Sequence, residues 1–107
     1  MKGFGGGMQA LMKQANQMQL KMKKVQAELA EREFEATSGG GAVKVVAMGD
    51  GKVKTVEIQQ DVISSGDKEM LQDLIVTGVN EALRLAKTTS EAEMAKITGG
   101  VSMPGMF

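Results

Sequence analysis

The sequence predicts an α+β protein: a long N-terminal helix, a three-stranded antiparallel meander and a C-terminal helix. Three observations predict that order. Apolar residues from Met8 to Leu29 recur at alternating intervals of three and four, the repeat of a helix with one apolar stripe. Residues 33–59 change to alternating and β-branched runs separated by glycine-containing links, which reads as strands and turns. From Asp67 onward a broad apolar face returns at helical spacing.

The first helix is the most legible element. Met8, Leu11, Ala15, Met18, Met22, Val25 and Leu29 occupy the a and d positions of a heptad repeat. The residues between them are mostly Gln, Lys and Asn. A helix over 8–31 is about 36 Å long at about 1.5 Å per residue. A compact chain of this size has a radius of gyration of about 13 Å. The helix therefore crosses the domain and projects beyond it. A projecting apolar stripe needs a partner, so the spacing predicts packing along the stripe and self-association. Residues 1–7 (MKGFGGG) read as a flexible end.

Glu33-Phe34-Glu35-Ala36-Thr37 alternates polar and apolar residues, the period of a strand with one buried face. Ser38-Gly39-Gly40-Gly41 is a turn or flexible connection. Residues 42–48 (AVKVVAM) and 52–59 (KVKTVEIQ) are rich in β-branched residues, with Gly49-Asp50-Gly51 as a hairpin turn between them. Residues 60–66 (QDVISSG) connect the sheet to the second long helix. Asp67 and Glu69 suit the first turn of that helix. Met70, Leu71, Leu74, Ile75, Val79, Ala82, Leu83 and Ala86 form its apolar face. Gly78 inside it costs up to about 1 kcal/mol relative to Ala, which a close helix approach would explain. Ser90-Glu91-Ala92-Glu93 matches a capping box, predicting a break near residue 89 and a short third helix at 91–97. One continuous helix over 67–97 is the alternative. Residues 98–107 (TGGVSMPGMF) read as a second flexible end of a single domain spanning 1–107.

Composition excludes several function classes. The chain has no Cys and no His, so disulfides, thiol chemistry, zinc ligation and most nucleophile–base pairs lack their usual parts. Aromatic residues are 3%, and ten Met residues help to fill an aliphatic core. No apolar run approaches the roughly 18 residues of a membrane span. The N-terminus lacks the continuous apolar region of a secretory signal. The expectation is a soluble cytoplasmic protein with no membrane partner.

Formal net charge is zero, unlike the strongly basic balance common in nucleic-acid binders. The zero hides an asymmetry. Residues 1–27 carry Lys2, Lys13, Lys21, Lys23 and Lys24 and no acid, whereas residues 28–35 carry Glu28, Glu31, Glu33 and Glu35 against Arg32 alone. With the stripe at a and d, Lys13, Lys21, Lys23 and Lys24 fall at f, g, b and c, on the outer arc. Leu20 sits among them, and the pattern assigns it no role. A charge run on a helix is more often a solvated face than a binding site. Two points weigh against that here. Only Lys24 has an acid four residues on, Glu28. Basic-first, acidic-last order also opposes the helix macrodipole, so helix stability did not select it. Arg84 and Lys87 share one side of the second helix and are weaker candidates for the same basic surface.

Other motifs read as structure. The glycine runs at 5–7 and 39–41 lack the following Gly-Lys-Ser/Thr of a phosphate loop. Gly49-Asp50-Gly51-Lys52 lacks the spaced acids of a calcium loop. The glutamates at 28–35 read as a solvated surface, with no metal ligand set. There is no catalytic constellation, no cofactor motif and no small-molecule site, so the expectation is not an enzyme. The missing Tyr and Trp argue against single-strand readout by base stacking.

The chain resembles the YbaB/EbfC nucleoid-associated proteins of bacteria. The resemblance is carried by Leu11-Met12-Lys13-Gln14-Ala15 with Gln17-Met18 and the lysine-rich heptads after them, by Gly41-Ala42-Val43-Lys44-Val45, by Val56-Glu57-Ile58, by Asp67-Lys68-Glu69-Met70-Leu71-Gln72-Asp73-Leu74, and by Pro104-Gly105-Met106-Phe107. It departs at Gln59-Gln60-Asp61, where many relatives carry an acidic-Pro pair. The resemblance implies a tweezer-like homodimer of projecting helices around a small antiparallel sheet. It also implies duplex-DNA binding in the nucleoid, with a role in nucleoid organisation or gene regulation. Lys13, Lys21, Lys23 and Lys24, with Arg84 and Lys87 behind them, are then the expected phosphate contacts. The alternative is a coiled-coil-like protein-interaction module whose lysines only keep it soluble.

Overall fold

The structure, a computed structural model, describes the backbone of residues 2–98 and the side chains of residues 7–98. Its elements are α1 (Lys2–Glu31), β1 (Glu33–Ser38), β2 (Val43–Met48), β3 (Val53–Ile58), α2 (Gln60–Ser64) and α3 (Lys68–Thr98). The predicted long helix, three-stranded antiparallel meander and C-terminal helix are all present.

Three boundaries differ from expectation. Helix α1 starts at Lys2 rather than near Met8. Glycines disfavour a helix by about 1 kcal/mol each without forbidding its backbone angles, and residues 2–7 continue the helical ladder. Residues 60–64, expected as a connection, form the short helix α2, which buries Val62. The predicted break near residue 89 is absent, and α3 runs unbroken to Thr98. No Gly or Pro interrupts residues 79–98, so the ladder has no reason to stop at Ser90. The second flexible end, apart from Thr98, lies outside the described residues.

The start of α3 follows the sequence closely. The Asp67 carboxylate accepts a hydrogen bond from the Met70 backbone N–H at 3.0 Å, an N-cap contact that satisfies a donor at the helix start. Glu69 lies in the first turn and Lys96 in the last, the order the macrodipole favours. Helix α1 has no acid in its first turn and no base in its last.

Strand β2 is central, antiparallel to β1 and β3. One sheet face carries Phe34 and Ala36 of β1 and Val43, Val45 and Ala47 of β2, all buried. Helix α3 packs on that face through Ala82 with Leu74, Val79 and Leu83 around it. Gly78 allows the close approach, because a β-carbon there would lie 2.9 Å from Val45 Cγ2. The Ser38 hydroxyl, buried at the edge of this contact, donates to the Leu74 carbonyl at 2.6 Å. Coverage is lopsided. In β3, Val56 pairs with the fully buried Val45 yet remains 39% exposed, and Val53 is 41% exposed.

The other sheet face is held by charge. Lys44 lies 2.9 Å from Glu35 and 3.9 Å from Glu57, and Lys54 lies 3.0 Å from Glu33. Glu33 and Glu35 are therefore partners of strand lysines.

The C-terminal end of α1 is fastened to the β2–β3 turn. The Gly49 N–H donates to the Arg32 carbonyl at 3.0 Å. A β-carbon on Gly49 would fall 1.7 Å from the Leu29 carbonyl oxygen, so only glycine fits against this helix end. Residues 22–30 of α1 and 90–98 of α3 then face each other across a groove of about 560 Å³. Two helices of about 45 Å, overlapped by about nine residues, match the long dimension of 78 Å. The radius of gyration, 21.1 Å, is far above the roughly 13 Å of a compact chain of this length.

Candidate nucleic-acid interface

The projecting part of α1 is an arm with no covered side. Every residue from Gly7 to Gln17 is exposed. The apolar stripe divides along its length. Leu29 is buried and Met18, Met22 and Val25 are half-buried, whereas Ala15, Leu11 and Met8 are exposed, the last two at 66% and 58%. Within one protomer the lower stripe packs and the upper stripe does not.

Lys13, Lys21, Lys23 and Lys24 are all exposed on this helix. Among the described residues none of the four lies in an ion pair, and the Lys24–Glu28 pair that the spacing allows is not formed. The sheet and its β2–β3 turn behave differently: Lys44, Lys52 and Lys54 each have an acidic partner. The hydrogen bond that Lys44 donates to Glu35, then the charges of Glu35 and Glu57, hold the Lys44 ammonium above its usual pKa. The arm therefore carries four exposed lysines in a row without an acidic partner among the described residues, whereas elsewhere only Arg32, Lys68 and Lys87 lack one.

Arg84 and Lys87 sit elsewhere. The Arg84 guanidinium donates to both Glu81 carboxylate oxygens, at 2.6 and 3.0 Å. These bonds hold the Glu81 carboxyl below its ordinary range. They also raise the pKa of Arg84, so its charge is already satisfied. Lys87 has no ion-pair partner among the described residues and lines a hollow beside the β2–β3 turn with Gly49, Asp50 and Ala86. Leu29 lies near Ser90 in the adjoining groove, and Lys13 is about 24 Å further out along α1. The structure does not bring Arg84 and Lys87 together with Lys13. The sequence could not show this, because it depends on where α3 crosses α1.

Ser90 illustrates the same limit. Its hydroxyl is buried with no hydrogen-bond partner among the described residues and lines the groove beside α1, so it is a groove residue rather than a helix cap.

The site is thus an exposed, lysine-bearing helical arm on an α+β body. The chain belongs to the YbaB/EbfC DNA-binding family, whose model matches residues 4–101. It is 52% identical over 107 residues to a nucleoid-associated protein of Clostridium novyi (strain NT), covering 98% of this chain and 94% of that one. A nucleoid-associated protein of Ruminiclostridium cellulolyticum is 50% identical over 106 residues, covering 98% and 92%. The fold is similar to the crystal structure of an uncharacterized protein from Helicobacter pylori. That match has a TM-score of 0.61 and 19% identity, covering 73% of this chain and 90% of the other. The family is a DNA-binding family and not an enzyme family. Among the described residues no helix is long and apolar enough to cross a membrane.

Proposed function

We infer that this chain is a non-enzymatic duplex-DNA-binding protein of the bacterial nucleoid that acts as a homodimer. The observation that carries the reading is the contrast in charge. The strand lysines Lys44 and Lys54 are paired with acids, while Lys13, Lys21, Lys23 and Lys24 have no acidic partner among the described residues and stand on an exposed helix. Phosphates supply the missing negative charge, and releasing their counterions drives binding. The names of the relatives agree with a place in the nucleoid, and the role we propose there is in nucleoid organisation or gene regulation.

The dimer follows from what the protomer leaves uncovered. Its largest fully buried side chains are only Val43 and Val45, while Val53, Val56, Ile63 and Met70 are exposed around β3. A domain with so small a core gains from a second apolar contact. A second copy is always present to supply it. Joining two bodies at β3 leaves both arms free to grip one duplex. Retardation of duplex DNA across a salt series tests the reading, with the four lysines changed to Gln as the control.

Met8, Leu11 and Met12, exposed at 58–66%, favour a second reading, in which the arm tip docks on a helix of another protein. Co-purification of a stoichiometric partner with no shift of DNA at low ionic strength would select it.

A further inference from the structure

Leu20 is 67% exposed in the middle of the lysine face. A single exposed leucine is ordinary on a protein surface, so its meaning depends on its neighbours. With 3.6 residues per turn, Asn16 and Gln17 lie about 40° and 60° to either side of Leu20, one turn before it. Lys23 and Lys21 lie about 60° and 100° to either side. Lys13 and Lys24 lie within about 40° of the Leu20 line, about 16 Å apart along the axis. Asn16, Gln17 and all four lysines are exposed. The face thus has an apolar centre, two amides beside it, a lysine on each flank and a lysine towards each end.

That layout matches the major groove of duplex DNA, which is about 12 Å wide and admits one helix. The flanking lysines meet the phosphate walls, and the centre meets the base edges. A leucine finds one apolar feature there, the thymine C5-methyl, and Asn and Gln pair with the N6 and N7 edge of adenine. Both features belong to A·T pairs. We propose that Leu20, with Asn16 and Gln17, reads A·T base pairs in the major groove, Leu20 packing on a thymine methyl. This rests on the duplex-DNA reading above and adds a base-reading centre to it.

The test replaces thymine by deoxyuridine in an A·T-containing duplex, which removes the methyl and keeps the pairing. Fluorescence anisotropy is measured on both duplexes with the wild-type chain and with Leu20→Ala. The wild-type chain is expected to bind the deoxyuridine duplex about fourfold more weakly, the worth of one buried methyl. Leu20→Ala is expected to lose this discrimination and keep the salt dependence, since its lysines are intact. Equal wild-type binding to both duplexes, or discrimination that survives in Leu20→Ala, overturns the proposal while leaving DNA binding standing. Wild-type binding to neither duplex at low salt brings down the DNA reading itself. Sedimentation with anionic phospholipid vesicles that is lost in Leu20→Ala, without duplex discrimination, assigns the face to a membrane and overturns the proposal.

Discussion

Gly78 of α3 lies so close to Val45 of β2 that a β-carbon on the glycine would come within 2.9 Å of Val45 Cγ2. Val45 is fully buried and, as a β-branched residue, has little rotamer freedom with which to retreat. This contact seats α3 on the sheet. It also explains why a helix interior tolerates a glycine.

Gly78→Ala therefore sets two effects against each other. The helix gains up to about 1 kcal/mol from the better helix former, and overpacking costs about 1–3 kcal/mol. The expected net is a loss of about 1 kcal/mol, read as a melting temperature about 4–8 °C lower at fixed protein concentration. Gly78→Val should lose more. A melting temperature raised by Gly78→Ala would mean that the helix does not approach β2 this closely.

Gly49→Ala should be worse. The added carbon meets the Leu29 carbonyl oxygen at 1.7 Å, a backbone atom at the root of the arm that cannot turn aside. The expected loss is about 3 kcal/mol or more, measured by denaturant unfolding. The order of damage, Gly49→Ala above Gly78→Ala, is the opposite of that expected if residues 49–51 were a free hairpin tip.

The basic residues should separate by salt dependence. Each single change of Lys13, Lys21, Lys23 or Lys24 to Gln should lower the slope of log affinity against log salt by about one for each phosphate left unneutralised. Arg84→Gln should leave that slope unchanged, because Glu81 already holds the guanidinium through two hydrogen bonds. A slope that falls with Arg84→Gln would place α3 on the DNA.

The Glu81–Arg84 pair predicts a pH dependence. The Arg84 hydrogen bonds, then its charge, keep the Glu81 carboxyl below its ordinary value of 4.5. A depressed carboxylate stabilises the fold above its unfolded pKa, and that contribution is lost as pH falls through the folded value. The pair is exposed, so its contribution is small. Thermal melts of the wild type and Glu81→Gln should differ slightly at neutral pH. The two should converge as pH drops below 4.5.

The dimer reading predicts a species of about twice the 11.3 kDa chain mass in sedimentation equilibrium. Val56→Glu puts a charge on the open β3 surface and should shift that species to monomer. Leu11→Glu, on the arm, should leave it intact. The reverse pattern would move the interface from β3 to the arm stripe.

Periodicity carried most of the fold. The three-four spacing of Met8 to Leu29, the alternation of Glu33 to Thr37 and the acids around Asp67 are local signals. They led to the right elements. What failed was also local in form but decided elsewhere. Ser90 and Glu93 match a capping box, yet Ser90 packs against α1 within a continuous helix. Gln60–Ser64 forms a turn of helix where no long periodic run announces one. The lysine arm was legible because it is one helix with one face. The tie between Arg84 and Glu81 was available as an i,i+3 spacing. The distance between Arg84 and the arm was not, since it depends on how α3 crosses α1.

The central claim is that unpaired arm lysines bind duplex DNA. Retardation of one duplex by the wild type, and by a chain with Lys13, Lys21, Lys23 and Lys24 all changed to Gln, tests it most directly across a salt series. Wild-type affinity should fall steeply with salt. The four-lysine variant should give no retardation at any salt concentration, with its dimer and melting temperature retained. Retardation by that variant at low salt, as strong as that of the wild type, would mean that the arm lysines do not hold the DNA.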